Sequence, residues 1–135
     1  RTEAVITEPA ARLGRGTVLL VEDDEMMRDM VATMLGRLGF TTLLAGDGRQ
    51  ALQMFQQCPQ DISVVLCDLS MPHMDGWETL VALRRIRPDI PVILASGYDE
   101  VQVISGEHSE LPQAFLHKPY RKSLLEEALA KVLNG

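Results

Sequence analysis

The feature that most constrains this chain is a series of short, continuously apolar runs, each ending in polar or charged residues. Thr17–Val21 reads T-V-L-L-V and runs into acids, while residues 62–67 read I-S-V-V-L-C and run into Asp68. Strands buried on both faces produce such runs, whereas half-exposed strands alternate. Residues 40–45 and 91–95 read as further strands, the latter ending at Ser96-Gly97. Ala114–His117 is a short fifth strand ending at Lys118-Pro119.

Helices fill the intervals. Asp23 or Asp24 caps one that continues to about Leu38, where Gly39 terminates it. Residues 49–57 are helical until Cys58-Pro59 stops them. Asp75-Gly76 opens a helix through Arg87, closed by Pro88. A last amphipathic helix covers residues 122–133, with Leu124, Leu125, Ala128, Leu129 and Val132 on one side.

Strict alternation of strand and helix implies an α/β fold with a flavodoxin-like, doubly wound, five-stranded parallel sheet in the order 2-1-3-4-5. The least regular stretch is 99–112. Parallel strands need a crossover there, but Ser105-Gly106, His108-Ser109 and Pro112 interrupt the period, so a short or irregular fourth helix is expected. Residues 1–16, with Pro9, Gly14 and Gly16, read as a linker or tail. Residues 17–135 then form one domain.

The chain has 135 residues, 46% hydrophobic and 24% charged, with a formal net charge of −6. That balance suits a globular domain and argues against a nucleic-acid surface, since the basic residues are scattered among acids. No apolar run approaches the ~18 residues of a membrane span. Neither membrane contact nor direct nucleic-acid binding is therefore expected. Cys58 and Cys67 do not form a C-x-x-C pair and read as reduced thiols in a cytoplasmic compartment. The chain opens Arg1-Thr2-Glu3-Ala4, without the apolar core of a signal peptide. The missing initiator methionine suggests an excised fragment or a processed chain.

In an open parallel sheet, ligands bind outside the carboxyl ends of the strands. Those ends carry Glu22-Asp23-Asp24, Asp68, Ser96 and Lys118. Carboxylates gathered this closely repel one another unless a cation intervenes. Mg²⁺, which takes one or two carboxylates together with a phosphate and several waters, fits that need, with Lys118 offsetting part of the charge. A carboxylate at the end of a buried strand can act as a nucleophile toward phosphorus. The Ser96 hydroxyl can then donate to a phosphoryl oxygen. Read singly, Glu22-Asp23-Asp24 is a solvated helix start, Asp68 and Ser96 are turn residues, and Lys118 is a surface lysine. Together they describe a phosphoryl-transfer pocket.

At these residues the chain resembles the receiver domain of two-component response regulators. The matching stretches are V-L-L-V-E-D-D-E, V-L-C-D-L-S-M-P-H-M-D-G, P-V-I-L-A-S-G and F-L-H-K-P-Y, in family order and spacing from Thr17 onward. The resemblance implies that Asp68 accepts a phosphoryl group from a phosphohistidine on a kinase or phosphotransfer domain. It makes Asp23 the direct Mg²⁺ ligand, Glu22 its acidic companion acting mainly through water, and the backbone carbonyl of Ser70 a further ligand. Ser96 stands at the switch Ser/Thr position, Lys118 at the family lysine, and Phe115 at the rotating aromatic. A cis Lys118-Pro119 bond is also implied. Such a domain assists its own phosphotransfer and dephosphorylation but is mainly a signalling switch.

The phrases I-L-A-S-G-Y and F-L-H-K-P-Y look like the terminal receiver of a hybrid sensor histidine kinase, the cytosolic part of a larger protein. A stand-alone single-domain regulator is the alternative, and a phosphorylation-independent pseudo-receiver a more distant one. An Asp-nucleophile phosphohydrolase wants a second Asp two residues after the nucleophile, where this chain has Ser70. On the first helix, at about 100° per residue, Met27, Val31, Met34, Leu35 and Leu38 share an inward face. Met26 and Met30 point away from it and suit contact with the phosphohistidine-bearing helix.

Overall fold

The computed structural model describes residues 16–97 and 108–134. Within them, β1 (Thr17–Val21), β2 (Thr41–Ala45), β3 (Ile62–Asp68), β4 (Val92–Ser96) and β5 (Ala114–His117) form one sheet in the order β2-β1-β3-β4-β5. Every pairing is parallel. Four described helices accompany it: α1 (Glu25–Arg37), α2 (Gly48–Gln57), α3 (Gly76–Ile86) and α4 (Lys122–Asn134). The flavodoxin-like order expected from the sequence is thus the one observed. The short or irregular fourth helix falls mostly at 98–107, outside the described residues, as does the expected linker apart from Gly16.

Two cores sandwich the sheet because successive strand residues point to opposite faces. On one face Val18, Leu20, Val64, Leu66, Ile93 and Leu116 pack against Val31 and Leu35 of α1 and Leu125 and Leu129 of α4. On the other, Leu19, Val21, Val65, Cys67 and Leu94 meet Phe55 of α2 and Leu80 and Leu83 of α3. Burying each such Leu, Val, Ile or Phe contributes roughly 1.5–3 kcal/mol, which makes these clusters the main source of stability.

Helix ends follow local chemistry. Asp24 caps α1 by accepting from the Met27 N–H at 3.1 Å. At its other end Gly39 (φ 94°) lets the Phe40 N–H return to the Leu35 carbonyl at 3.0 Å and the Gly39 N–H to Gly36 at 3.1 Å, a Schellman closure. Asp75 and Glu78 form a reciprocal capping box at the start of α3.

Element ends shift from expectation by a residue in several places, and two differences have a clear physical reason. Leu124 is 45% exposed rather than part of the inner face of α4. It lies one residue, about 100°, off the stripe formed by Leu125, Ala128, Leu129 and Val132. The second strand starts at Thr41 rather than Phe40, because the Phe40 N–H is spent on closing α1.

Candidate functional site

Four strands deliver the polar side chains to one edge. Backbone bonds set the height of each strand end: Glu22 N–H to the Ala45 carbonyl at 3.0 Å, Leu69 N–H to Ala95 at 2.8 Å, and Lys118 N–H to Ser96 at 2.7 Å. Glu22, Asp68 and Ser96 consequently sit at the carboxyl edge with only 4%, 6% and 3% exposure. Asp23 and Ser70 are exposed, just outside β1 and β3.

Lys118 joins this group directly. Its Nζ lies 2.9 Å from Oδ1 of Asp68 and 3.0 Å from Oε1 of Glu22. The remaining oxygen of Glu22, Oε2, accepts from the Asp24 N–H at 3.2 Å, and Arg28 Nη1 donates to the Glu22 carbonyl at 2.9 Å. Glu22 is therefore held from three sides. Carboxylate oxygens of Glu22, Asp23 and Asp68 all lie within 4.8 Å of one another.

Electrostatics follow from this packing. Burial raises the pKa of Glu22 and the Asp68 charge adds to the rise, against the lowering pull of Lys118 and the Asp24 N–H. For Lys118, burial works to lower the pKa, but the bonds to Asp68 and Glu22 outweigh it and hold the ammonium above its ordinary value. Burial, with the neighbouring carboxylates, also pushes up the Cys67 thiol and the Tyr120 phenol, leaving both uncharged at neutral pH. With Glu22, Asp23 and Asp68 ionised, three carboxylates face one ammonium, a formal charge of −2. All the donors are hard oxygens, and one member is open to solvent. That set suits a divalent cation such as Mg²⁺, which keeps part of its water shell.

The segment after Asp68 is fixed by close packing. A Cβ on Gly76 would lie 2.8 Å from Leu69 Cα and 2.9 Å from the Asp68 carbonyl oxygen, so only glycine fits. The Gly76 N–H also donates to the Leu69 carbonyl at 2.8 Å. The Lys118-Pro119 bond is cis, as the resemblance implies. Phe115 is half-buried on β5, with its ring edge-on to Trp77 at 6.0 Å. Met26 and Met30 are 82% and 47% exposed on α1, as their helical angle requires.

Sequence reasoning missed Arg28 and Gly76 as supports of the site. The direct pairing of Glu22 with Lys118 was also not foreseen. The Arg28 anchor had a faint signal, a cation one turn into the helix that follows the acids. The close approach at Gly76 had none beyond the D-G pair itself.

Residues 18–130 match the family model described as response regulator receiver domain. The chain belongs to this family. Among relatives of this receiver, the sensor kinase CckA of Brucella abortus (strain 2308) is 33% identical over 120 residues, covering 89% of this chain and 13% of the relative. The transcriptional regulatory protein ZraR of Escherichia coli (strain K12) is 32% identical over 116 residues, covering 86% of this chain and 26% of the relative. The receiver thus spans only a minor part of these relatives. A crystal structure of the receiver domain from the hybrid histidine kinase CckA superimposes with a TM-score of 0.74 at 30% identity, covering 87% of this chain and 99% of that one. Among the described residues, no helix is long and apolar enough to cross a membrane.

Proposed function

We propose that this receiver takes a phosphoryl group onto Asp68 from a phosphohistidine, in a Mg²⁺-dependent step, and changes conformation in response. The observation that carries the reading is Lys118 Nζ held between Asp68 and Glu22 at the carboxyl edge of a parallel sheet, with the Asp23 carboxylate alongside. In the transfer, an Asp68 oxygen forms a bond to phosphorus as the phosphorus–nitrogen bond of the phosphoimidazole breaks. The electron pair returns to the imidazole nitrogen, and the product is an acyl phosphate.

Asp23, Asp68 and the Ser70 carbonyl would hold Mg²⁺, with Glu22 behind them. Bound there, the ion supplies positive charge to the phosphoryl oxygens. Lys118, already beside Asp68, pairs with one oxygen of the new group, and the Ser96 hydroxyl donates to another. The added charge of about −1.5 to −2 draws these side chains toward Asp68. Ser96 lies at the end of β4, paired in register with His117 of β5, so its movement reaches Phe115 within two residues of that partner.

The donor is a phosphohistidine-bearing kinase or phosphotransfer domain, and exposed Met26 and Met30 on α1 form part of its docking surface. The likeness to the sensor kinase CckA and to the receiver domain of a hybrid histidine kinase supports a place in such a kinase, on its cytoplasmic side. Retention of both acids, the acceptor and the lysine argues against a phosphorylation-independent interaction module. Beryllofluoride, which mimics a phosphoryl group on a carboxylate, tests the reading. Saturable binding that needs Mg²⁺ and disappears in Asp68→Asn is expected; binding unaffected by either change would overturn it.

A further inference from the structure

Trp77 lies in the first turn of α3, immediately after Gly76, whose backbone is wedged against Asp68 and Leu69. Its indole stacks on the His108 imidazole with ring centroids 3.5 Å apart and planes 8° from parallel, and it meets Phe115 edge-on at 6.0 Å and 61°. One irregular segment, 108–113, therefore lies against α3 just before β5. A second clamp holds its far end. Arg84, on the same helix seven residues on, donates to Glu110 Oε1 at 2.9 Å and to Gln113 Oε1 at 2.8 Å, and also to the Ile90 carbonyl at 2.9 Å. Gln113 in turn accepts from the Val92 N–H at 2.7 Å.

The two clamps differ in kind. In the Arg84 clamp each of the three guanidinium nitrogens donates to an oxygen. In the Trp77–His108 stack, by contrast, the buried His108 Nε2 has no hydrogen-bond partner among the described residues. Ring contact favours the closed arrangement, while the orphaned nitrogen opposes it. Such a balance suits a contact that opens and closes rather than a permanent strut.

We infer that Trp77 and His108 form a latch that holds Phe115 in its half-buried resting position and opens when Asp68 carries a phosphoryl group. The inference rests on the switching reading of the site. Trp77 is a positioning residue in this account, since it acts through Phe115 and not on the reacting atoms. Opening is a pre-existing equilibrium, so weakening the latch raises the fraction of the receptive state and with it the apparent affinity for the phosphoryl mimic.

Two substitutions at His108 pull in opposite directions. His108→Ala removes the ring and loosens the latch. His108→Phe keeps a ring face for stacking and removes the unpaired nitrogen, which tightens it. A mere structural role would weaken binding in both or leave both unchanged. Trp77 is the sole tryptophan of the chain, so its emission reports directly on the latch.

Beryllofluoride titration in Mg²⁺ with Trp77 emission as the readout, and intact-protein ¹⁹F NMR as an independent measure of adduct, tests the inference. Apparent affinity should rise roughly two- to tenfold in His108→Ala and fall by a similar factor in His108→Phe. Emission of unliganded His108→Ala should shift toward that of the wild-type adduct. Adduct formation with equal affinity in all three proteins, or with no change in Trp77 emission, overturns the latch while leaving the receiver reading intact. Absence of any adduct in the wild type removes the switch and the latch together.

Discussion

The Lys118 ammonium lies 2.9 Å from Oδ1 of Asp68, so the end of β5 reaches across β4 to the end of β3. The same nitrogen touches Glu22 at the end of β1, and one cation thus ties together three strand ends. Removing it leaves two buried carboxylates facing each other. Lys118→Met should destabilise the Mg²⁺-free protein by on the order of 3 kcal/mol in urea unfolding. Added Mg²⁺ should recover part of that loss, because it supplies the missing positive charge.

Metal binding has its own stability signature. At a free Mg²⁺ concentration ten times its dissociation constant, the folded state gains about 1.4 kcal/mol. Thermal unfolding should therefore shift upward with Mg²⁺ and back with a chelator. In Asp23→Asn most of that increment should vanish while the metal-free stability changes little, since Asp23 is solvent-exposed. An equal Mg²⁺ shift in wild type and variant would remove Asp23 from the ligand set.

Both shifted groups of the pair give stability that is lost as pH rises, in two separate windows. Glu22 has a raised folded pKa, so its contribution is full below the ordinary carboxylate range and disappears as pH climbs through the raised value. Lys118 also has a raised folded pKa, so its contribution is full below lysine's ordinary pKa of about 10.4 and is lost above that, through the raised value. Chelator-treated protein should show both declines in urea midpoints measured against pH. Glu22→Gln should erase the acidic one, and Lys118→Met the alkaline one.

Close approach at Gly76 predicts a different failure. In Gly76→Ala the new Cβ meets backbone atoms of Asp68 and Leu69, which have no soft side chain to yield. A loss of about 1–3 kcal/mol is expected, together with slower phosphorylation by a small donor, as the Asp68 turn must shift. Unchanged unfolding and rate would show that the turn has slack.

Docking through α1 separates protein donors from small ones. Replacing Met26 and Met30 together with Glu should slow transfer from a phosphohistidine protein by roughly tenfold, an interface loss of about 1.4 kcal/mol. Phosphorylation by a small donor should be unaltered, because neither side chain belongs to the acidic cluster.

Much of this was legible in the sequence because a doubly wound sheet writes its topology plainly. Continuous runs such as Val64–Val65–Leu66 announce strands covered on both faces, and a search of strand ends alone finds Glu22, Asp23, Asp68, Ser96 and Lys118. What stayed hidden depends on distance in space. Arg84 and Glu110 are 26 residues apart, and no periodicity predicts their ion pair. The Trp77–His108 stack joins a helix to an irregular segment, where pattern reading has nothing to count. Glu22 falls at a strand end in the sequence, but its direct bond to Lys118, 96 residues away, follows only from the parallel register of β1, β3, β4 and β5.

The most direct test of the central claim is the intact mass of the protein after incubation with acetyl phosphate and Mg²⁺, followed by peptide mapping of the adduct. A single phosphoryl group on Asp68, absent without Mg²⁺ and absent in Asp68→Asn, is the predicted result. No adduct in the wild type, or an adduct that persists in Asp68→Asn, would contradict it.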